Sequence, residues 1–267
     1  MLQCGILGAA HLPIVLGILF TINLVTTYIM AVLRSDVEAI FPYVSATADH
    51  RPESCFFSLL LNICAILLMV VMYLRYSLIA VLIRDSDKIM DMGNLTSFCV
   101  GMVGGFAMLI VANFQETAII GVHLLAACIC FGSGCVYTIL QSWITLRMHP
   151  LYTNRRIGVI RAIIAAIATA SFIIAISCGT YAAHEFHRYY PNLPTPRPWN
   201  RKVWQPGYNF HVMSALAEWI MAVAHVSFIL TYARDFEKIR VSLYIESLVS
   251  HLDHSPLVRS LNDMRDL

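Results

Sequence analysis

Long apolar runs separated by short polar stretches dominate the chain. Six of them, at about residues 5–33, 55–74, 94–114, 119–145, 162–183 and 212–232, reach the roughly 20 residues that carry a helix across a hydrocarbon core. They are apolar on all sides, without the alternation over segments of about 10 residues that marks a membrane barrel strand. Inside a bilayer each backbone polar group must be bonded within its own segment. The pattern therefore predicts an all-α, polytopic integral membrane protein with six transmembrane helices. Residues 1–239 form the six-helix transmembrane domain and residues 240–267 a tail. The first run lacks a basic leader and exceeds the apolar stretch of about 7–15 residues in a signal peptide, so it is expected to remain as a helix.

Composition agrees: 58% hydrophobic and 13% charged residues, with a mean hydropathy of +0.70, exclude an ordinary soluble domain. A formal charge of +2 leaves no basic excess for nucleic acid. Lys and Arg divide unevenly between the two sides of the membrane. The side of the termini takes Arg75, Arg84, Lys88, Arg147, Arg161, Arg240 and others, whereas the opposite side takes Arg34, Arg51, Arg188, Arg197, Arg201 and Lys202. The positive-inside bias then makes both termini and the tail cytosolic. Two loops, 34–54 and 184–211, face away from the cytosol, and no soluble domain is available for catalysis.

The residues that a bilayer should reject are the informative ones, because a charge at its centre costs at least about 2.5–3.5 kcal/mol. Glu218 stands out, with His211 seven residues before it and His225 seven residues after, so that two helical turns bring the three to nearly one face. His123, Asn113, Glu116 and His184 fall near the level of His211. Two readings stay open: a proton, ion or lipid-headgroup site, or polar glue between helices. The first extends to a proton-coupled transporter or channel working through the His211/Glu218/His225 stripe. The chain has no His-Glu-x-x-His, Cys-x-x-Cys or Gly-x-Ser-x-Gly string, so neither a metal, a cofactor nor an enzymatic activity is expected.

Cys55 and Cys178 sit near the non-cytosolic ends of their spans, where they are either a disulfide or two free thiols. Gly101, Gly104, Gly105, Gly132 and Gly134 leave room for close approach of the third and fourth spans. After Arg234 the apolar residues recur at helical spacing, predicting an amphipathic helix on the membrane surface. Beyond it, Asp253-x-x-x-Leu257-Val258 approximates an acidic dileucine sorting signal.

Several strings together resemble one family. Phe41-Pro42-Tyr43-Val44-Ser45, Pro52-Glu53-Ser54-Cys55, Leu61-Asn62 and Tyr73-Leu74-Arg75-Tyr76 are similar to the first loop and second helix of the damage-regulated autophagy modulators. Ala112-Asn113-Phe114-Gln115, His123, His211-Val212-Met213, Ala217-Glu218-Trp219 and Leu230-Thr231-Tyr232-Ala233-Arg234-Asp235-Phe236 match later parts at the same spacing. Where that family's loop usually has Asp and Gly, this chain has Ala46 and Ala48. The resemblance implies a non-enzymatic lysosomal or endolysosomal membrane protein that modulates autophagy, with a link to apoptosis. It also implies membrane lipids or autophagy and lysosomal proteins as partners. Wider relatives imply the alternatives of a plasma-membrane scaffold for phosphoinositide kinase or a Golgi lipid-remodelling factor.

Overall fold

The computed structural model describes residues 8–40, 42–83, 87–196, 201–239 and 241. The helices are α1 His11–Leu33, α2 Glu53–Ile83, α3 Lys88–Asn113, α4 Ile120–Arg147, α5 Arg155–Tyr189, α6 Tyr208–Leu230 and the short α7 Ala233–Phe236, with a single 3-10 turn at Ala46–Ala48. No strand occurs among the described residues. Six helices are long and apolar enough to cross a membrane, counting α6 through Phe236 as one span. At 1.5 Å per residue even the 23 residues of α1 extend about 35 Å.

Helices adjacent in sequence pack side by side, and α6 returns to α1 to close the ring. α5 packs on α4 and α6. Leu16, Leu24, Phe57, Leu61, Tyr137 and Phe228 form the inner core, whereas Ile18, Ile22, Leu59, Ile66, Ile163 and Ile173 remain exposed. An apolar exterior of this kind suits a hydrocarbon solvent. One end of the bundle carries the 34–52 loop, the 114–119 hairpin and the 190–207 loop; below it is the first-loop end. The other carries the α2–α3 and α4–α5 links and α7, and is the tail end.

The helices overrun several predicted limits. α2 continues to Ile83 rather than stopping at Leu74, and α5 spans Arg155–Tyr189 rather than 162–183. Arg75 and Arg161 had marked one limit of each span, but both are neutralised within the protein by Asp235. Arg75 and Arg161, counted above with the basic flank, are 1% and 0% exposed and belong to α2 and α5. Glu53, at the start of α2, pairs with Arg34 Nε at 3.0 Å. α3 begins on a side-chain cap: Asp87 accepts from the Ile89 and Met90 amides, both at 3.1 Å, and from Arg147 Nε at 2.8 Å. The Met90 amide and Arg147 hold its carboxyl below the usual range.

The glycines serve more partners than the expected pair of helices. Gly104 of α3 meets Ser133 of α4, but Gly105 faces Met69 of α2, Gly132 faces Phe172 of α5 and Gly134 faces His225 of α6. Cys4, the amphipathic segment beyond Ile239 apart from Val241, and Asp253, Leu257 and Val258 lie outside the described residues.

Candidate functional site: an apolar chamber between two polar closures

A chamber of about 140 Å³ lies inside the ring, walled by α1, α2, α3, α4 and α6. Its surface is almost wholly apolar, with Phe20, Phe57, Leu61, Met108 and Val226 among the walls. α5 contributes nothing to it.

The 34–52 loop closes the first-loop end. It is fastened to several helices at once: Tyr28 Oη donates to Ala39 O at 2.8 Å, Trp219 Nε1 to Pro42 O at 2.7 Å, and Thr117 N and Oγ1 to Asp49 Oδ1 at 2.9 Å each. Thr27 and Thr47 hydroxyls meet at 3.4 Å. Two carboxylates converge on its middle, where the Val44 amide donates to Glu218 Oε2 at 3.3 Å and Ser45 Oγ to Glu116 Oε2 at 3.4 Å. Tyr43 packs edge-on against His211 with centroids 5.0 Å apart, and burial pushes its phenol up to about 12. Ala46 and Ala48 are buried in the 3-10 turn, so the small residues let the loop sit down into the bundle.

The tail end is closed by a charge cluster that the sequence reading had not assembled. Asp235 Oδ2 takes Arg161 Nη2 at 2.6 Å and Arg75 Nη1 at 2.9 Å. The remaining donors are also placed. Arg75 Nε bonds Gln141 Oε1 at 3.1 Å, Arg161 Nε bonds Thr231 Oγ1 at 2.8 Å, and Thr145 Oγ1 accepts from both guanidinium groups. Tyr232 lies beneath both, 5.1 and 4.8 Å from its ring centroid to the two guanidinium carbons. Its hydroxyl donates to Tyr137 Oη at 3.1 Å, and Tyr137 forms part of the chamber wall. Gln141 Nε2 carries the network on to Ser97 of α3 at 2.8 Å. Planar, always-charged Arg suits such a site better than Lys.

The candidate residues are distributed as follows. Glu218, His225 and His123 line the chamber. His211 does not; it is buried beneath the loop beside Tyr43 and Tyr208. His123 Nδ1 is 2.7 Å from Phe114 O, tying the 114–119 hairpin to α4. His225 lies between Phe131 and Gly134, its Nε2 3.9 Å from Cys135 Sγ. Asn113 lies apart, in a reciprocal amide pair with Asn62 at 3.2 and 2.9 Å. Of the two readings left open for the cysteines, the structure shows free thiols: Cys55 is exposed on α2 and Cys178 half-buried on α5. α2 packs between α1 and α3 while α5 packs between α4 and α6, so equal depth does not bring them within the Cα separation of about 4.4–6.8 Å that a disulfide needs. Among the described residues no three His, Cys, Asp or Glu side chains are grouped to hold a metal ion.

A six-span helical bundle, apolar outside and surrounding an apolar chamber, is the architecture of an integral membrane protein. Its residues 8–239 match the family described as Frag1/DRAM/Sfk1/Cwh43P N-terminal domain, and the chain belongs to that family, in its damage-regulated autophagy modulator branch. It is 32% identical to DNA damage-regulated autophagy modulator protein 1 of Homo sapiens, over 91% of this chain and 97% of that protein. Identity is 30% to DNA damage-regulated autophagy modulator protein 2 of Homo sapiens, over 90% and 88% respectively. A third relative, Modulator of macroautophagy TMEM150B of Danio rerio, is 31% identical over 61% of this chain and 69% of that protein. No solved structure matches.

Proposed function

We propose that this chain is an endolysosomal membrane protein that modulates autophagy without catalysing a reaction, acting through lipid or protein contacts, with both termini in the cytosol. Nearly full-length similarity to two proteins named for autophagy modulation carries the reading. The chamber supports a lipid contact, since an apolar interior enclosed by helices suits hydrocarbon. The uneven division of Lys and Arg supports the orientation, and Asp253, Leu257 and Val258 support endolysosomal sorting.

The test is the steady-state location of an N-terminally tagged chain, scored against lysosomal, Golgi and plasma-membrane markers, with autophagic flux measured in cells lacking the protein. Lysosomal staining and altered flux are expected, as is partial relocation of a Leu257→Ala/Val258→Ala variant. Plasma-membrane staining overturns the reading in favour of a phosphoinositide-kinase scaffold, and Golgi staining in favour of lipid remodelling.

One observation favours a second reading, a proton-coupled carrier: Glu218, His123 and His225 line the same chamber. That reading expects Glu218→Gln to reach its normal membrane, with unchanged thermal stability, and to abolish proton-coupled flux in organelle recordings. Loss of the variant from the membrane instead assigns Glu218 to packing.

A further inference from the structure

Resting on the lipid-contact reading, we propose that the chamber is a binding site for a single-chain cationic amphiphile: a long-chain amine whose ammonium pairs with Glu218 and whose alkyl chain fills the apolar interior.

Shape is the first argument. Along α6 the lining runs from Glu218 to Ile229, which at 1.5 Å per residue is about 16 Å. A volume near 140 Å³ along that length is narrow, with room for part of one alkyl chain and none for a second. For comparison, an apolar cavity of about 150 Å³ holds a single benzene. The interior therefore takes roughly the first six carbons of one alkyl chain, and the rest of a dodecyl chain leaves through the partly open side of the chamber.

Charge is the second. Glu218 is the one acidic residue in the lining, and neither Lys nor Arg lines the chamber. Among the described residues no ion pair reaches Glu218, whose Oε2 instead takes the Val44 amide at 3.3 Å. Glu116, bonded to Ser45 on the same loop, adds a second carboxylate to that end. The other polar groups in the lining are engaged: His123 with Phe114 O, His225 against Gly134 and Cys135, Ser45 with Glu116. A carboxyl in an apolar interior is costly to charge without a cation beside it. An amine supplies that cation whichever partner holds the proton beforehand, because transfer between them yields the same ammonium–carboxylate pair. Fatty acids and phosphorylated heads meet two carboxylates and are repelled.

The experiment uses the full chain purified in nonionic detergent and labelled with a photoactivatable dodecylamine, with dodecylamine, dodecanol and dodecanoate as competitors. Dodecylamine is expected to compete at least tenfold better than dodecanol, and dodecanoate weakest. Adducts should map to the chamber-facing residues of α3, α4 and α6. Glu218→Gln should bring dodecylamine down to the level of dodecanol, and Ala127→Phe, which fills the chamber from α4, should abolish saturable labelling. Equal competition by amine and alcohol, or unchanged amine affinity in Glu218→Gln, overturns the proposal. If all three compete equally and Ala127→Phe still removes labelling, the amine specificity fails while the lipid-contact reading stands. Labelling that survives in Ala127→Phe places the ligand elsewhere and defeats the site itself. Should Glu218→Gln not fold, the competitor ranking on the unaltered protein decides.

Discussion

Asp235→Ala is expected to destabilise the protein by about 3–5 kcal/mol, the cost of leaving a buried charge without its partner. The carboxylate is the sole anion of a cluster in which Arg75 and Arg161 are 1% and 0% exposed while Asp235 is 17% exposed. Removing it leaves two guanidinium groups facing one another in the interior. Removing one cation is milder, because one Arg–Asp pair survives. Arg161→Met should therefore fall between the unaltered chain and Asp235→Ala in thermal unfolding of the detergent-solubilised protein. Replacing all three with Arg75→Met, Arg161→Met and Asp235→Leu should recover much of the loss, since well-packed apolar residues often substitute for a buried ion network. If Asp235→Ala melts with the unaltered protein, or the triple variant melts below Asp235→Ala, the cluster is not what holds the tail end together.

Gly207→Ala is expected to cost about 2–4 kcal/mol, combining roughly 1–2 kcal/mol for a left-handed residue with a Cβ and roughly 1–3 kcal/mol for overpacking. Gly207 has φ +79°, and an added Cβ falls 2.7 Å from Ala182 O and 3.0 Å from Arg201 Nη2. Ala182 O is backbone, and it is also an acceptor for Arg201 at 2.7 Å, so neither neighbour gives way cheaply. The position precedes α6, which presents His211 and Glu218, so the same variant should weaken the loop closure. Increased proteolysis within the 34–52 loop, together with a lowered melting temperature, checks this; an unchanged melt contradicts it.

Much of the bundle was legible because the bilayer leaves few solutions for an apolar run of this length. Helix limits were not, since a polar residue reads as a stop until its partner is known. Arg75 looked like the basic flank of a span, and Asp235 like the start of a helix on the membrane surface. Nothing along a chain joins two positions 160 residues apart. Glu218 announced itself because it contradicts its own span, and His225 shares the chamber with it as the seven-residue spacing suggested. His211 lies outside the chamber, beneath the loop, because periodicity reports a helix face but not the loop that covers its end. The choice between a bridge and free thiols at Cys55 and Cys178 stayed open for a related reason: sequence gives depth in the membrane, whereas a bridge depends on position around the ring.

The two ends of the chamber are electrically unlike. Glu218 and Glu116 stand at one, and two guanidinium groups share one carboxylate at the other. Along α6 and its continuation Glu218 and Asp235 are about 25 Å apart, most of the thickness of a hydrocarbon core. The two ends of the bundle thus offer different chemistry to whatever approaches them, acidic groups at one and a guanidinium-rich cluster at the other, with an apolar interior between.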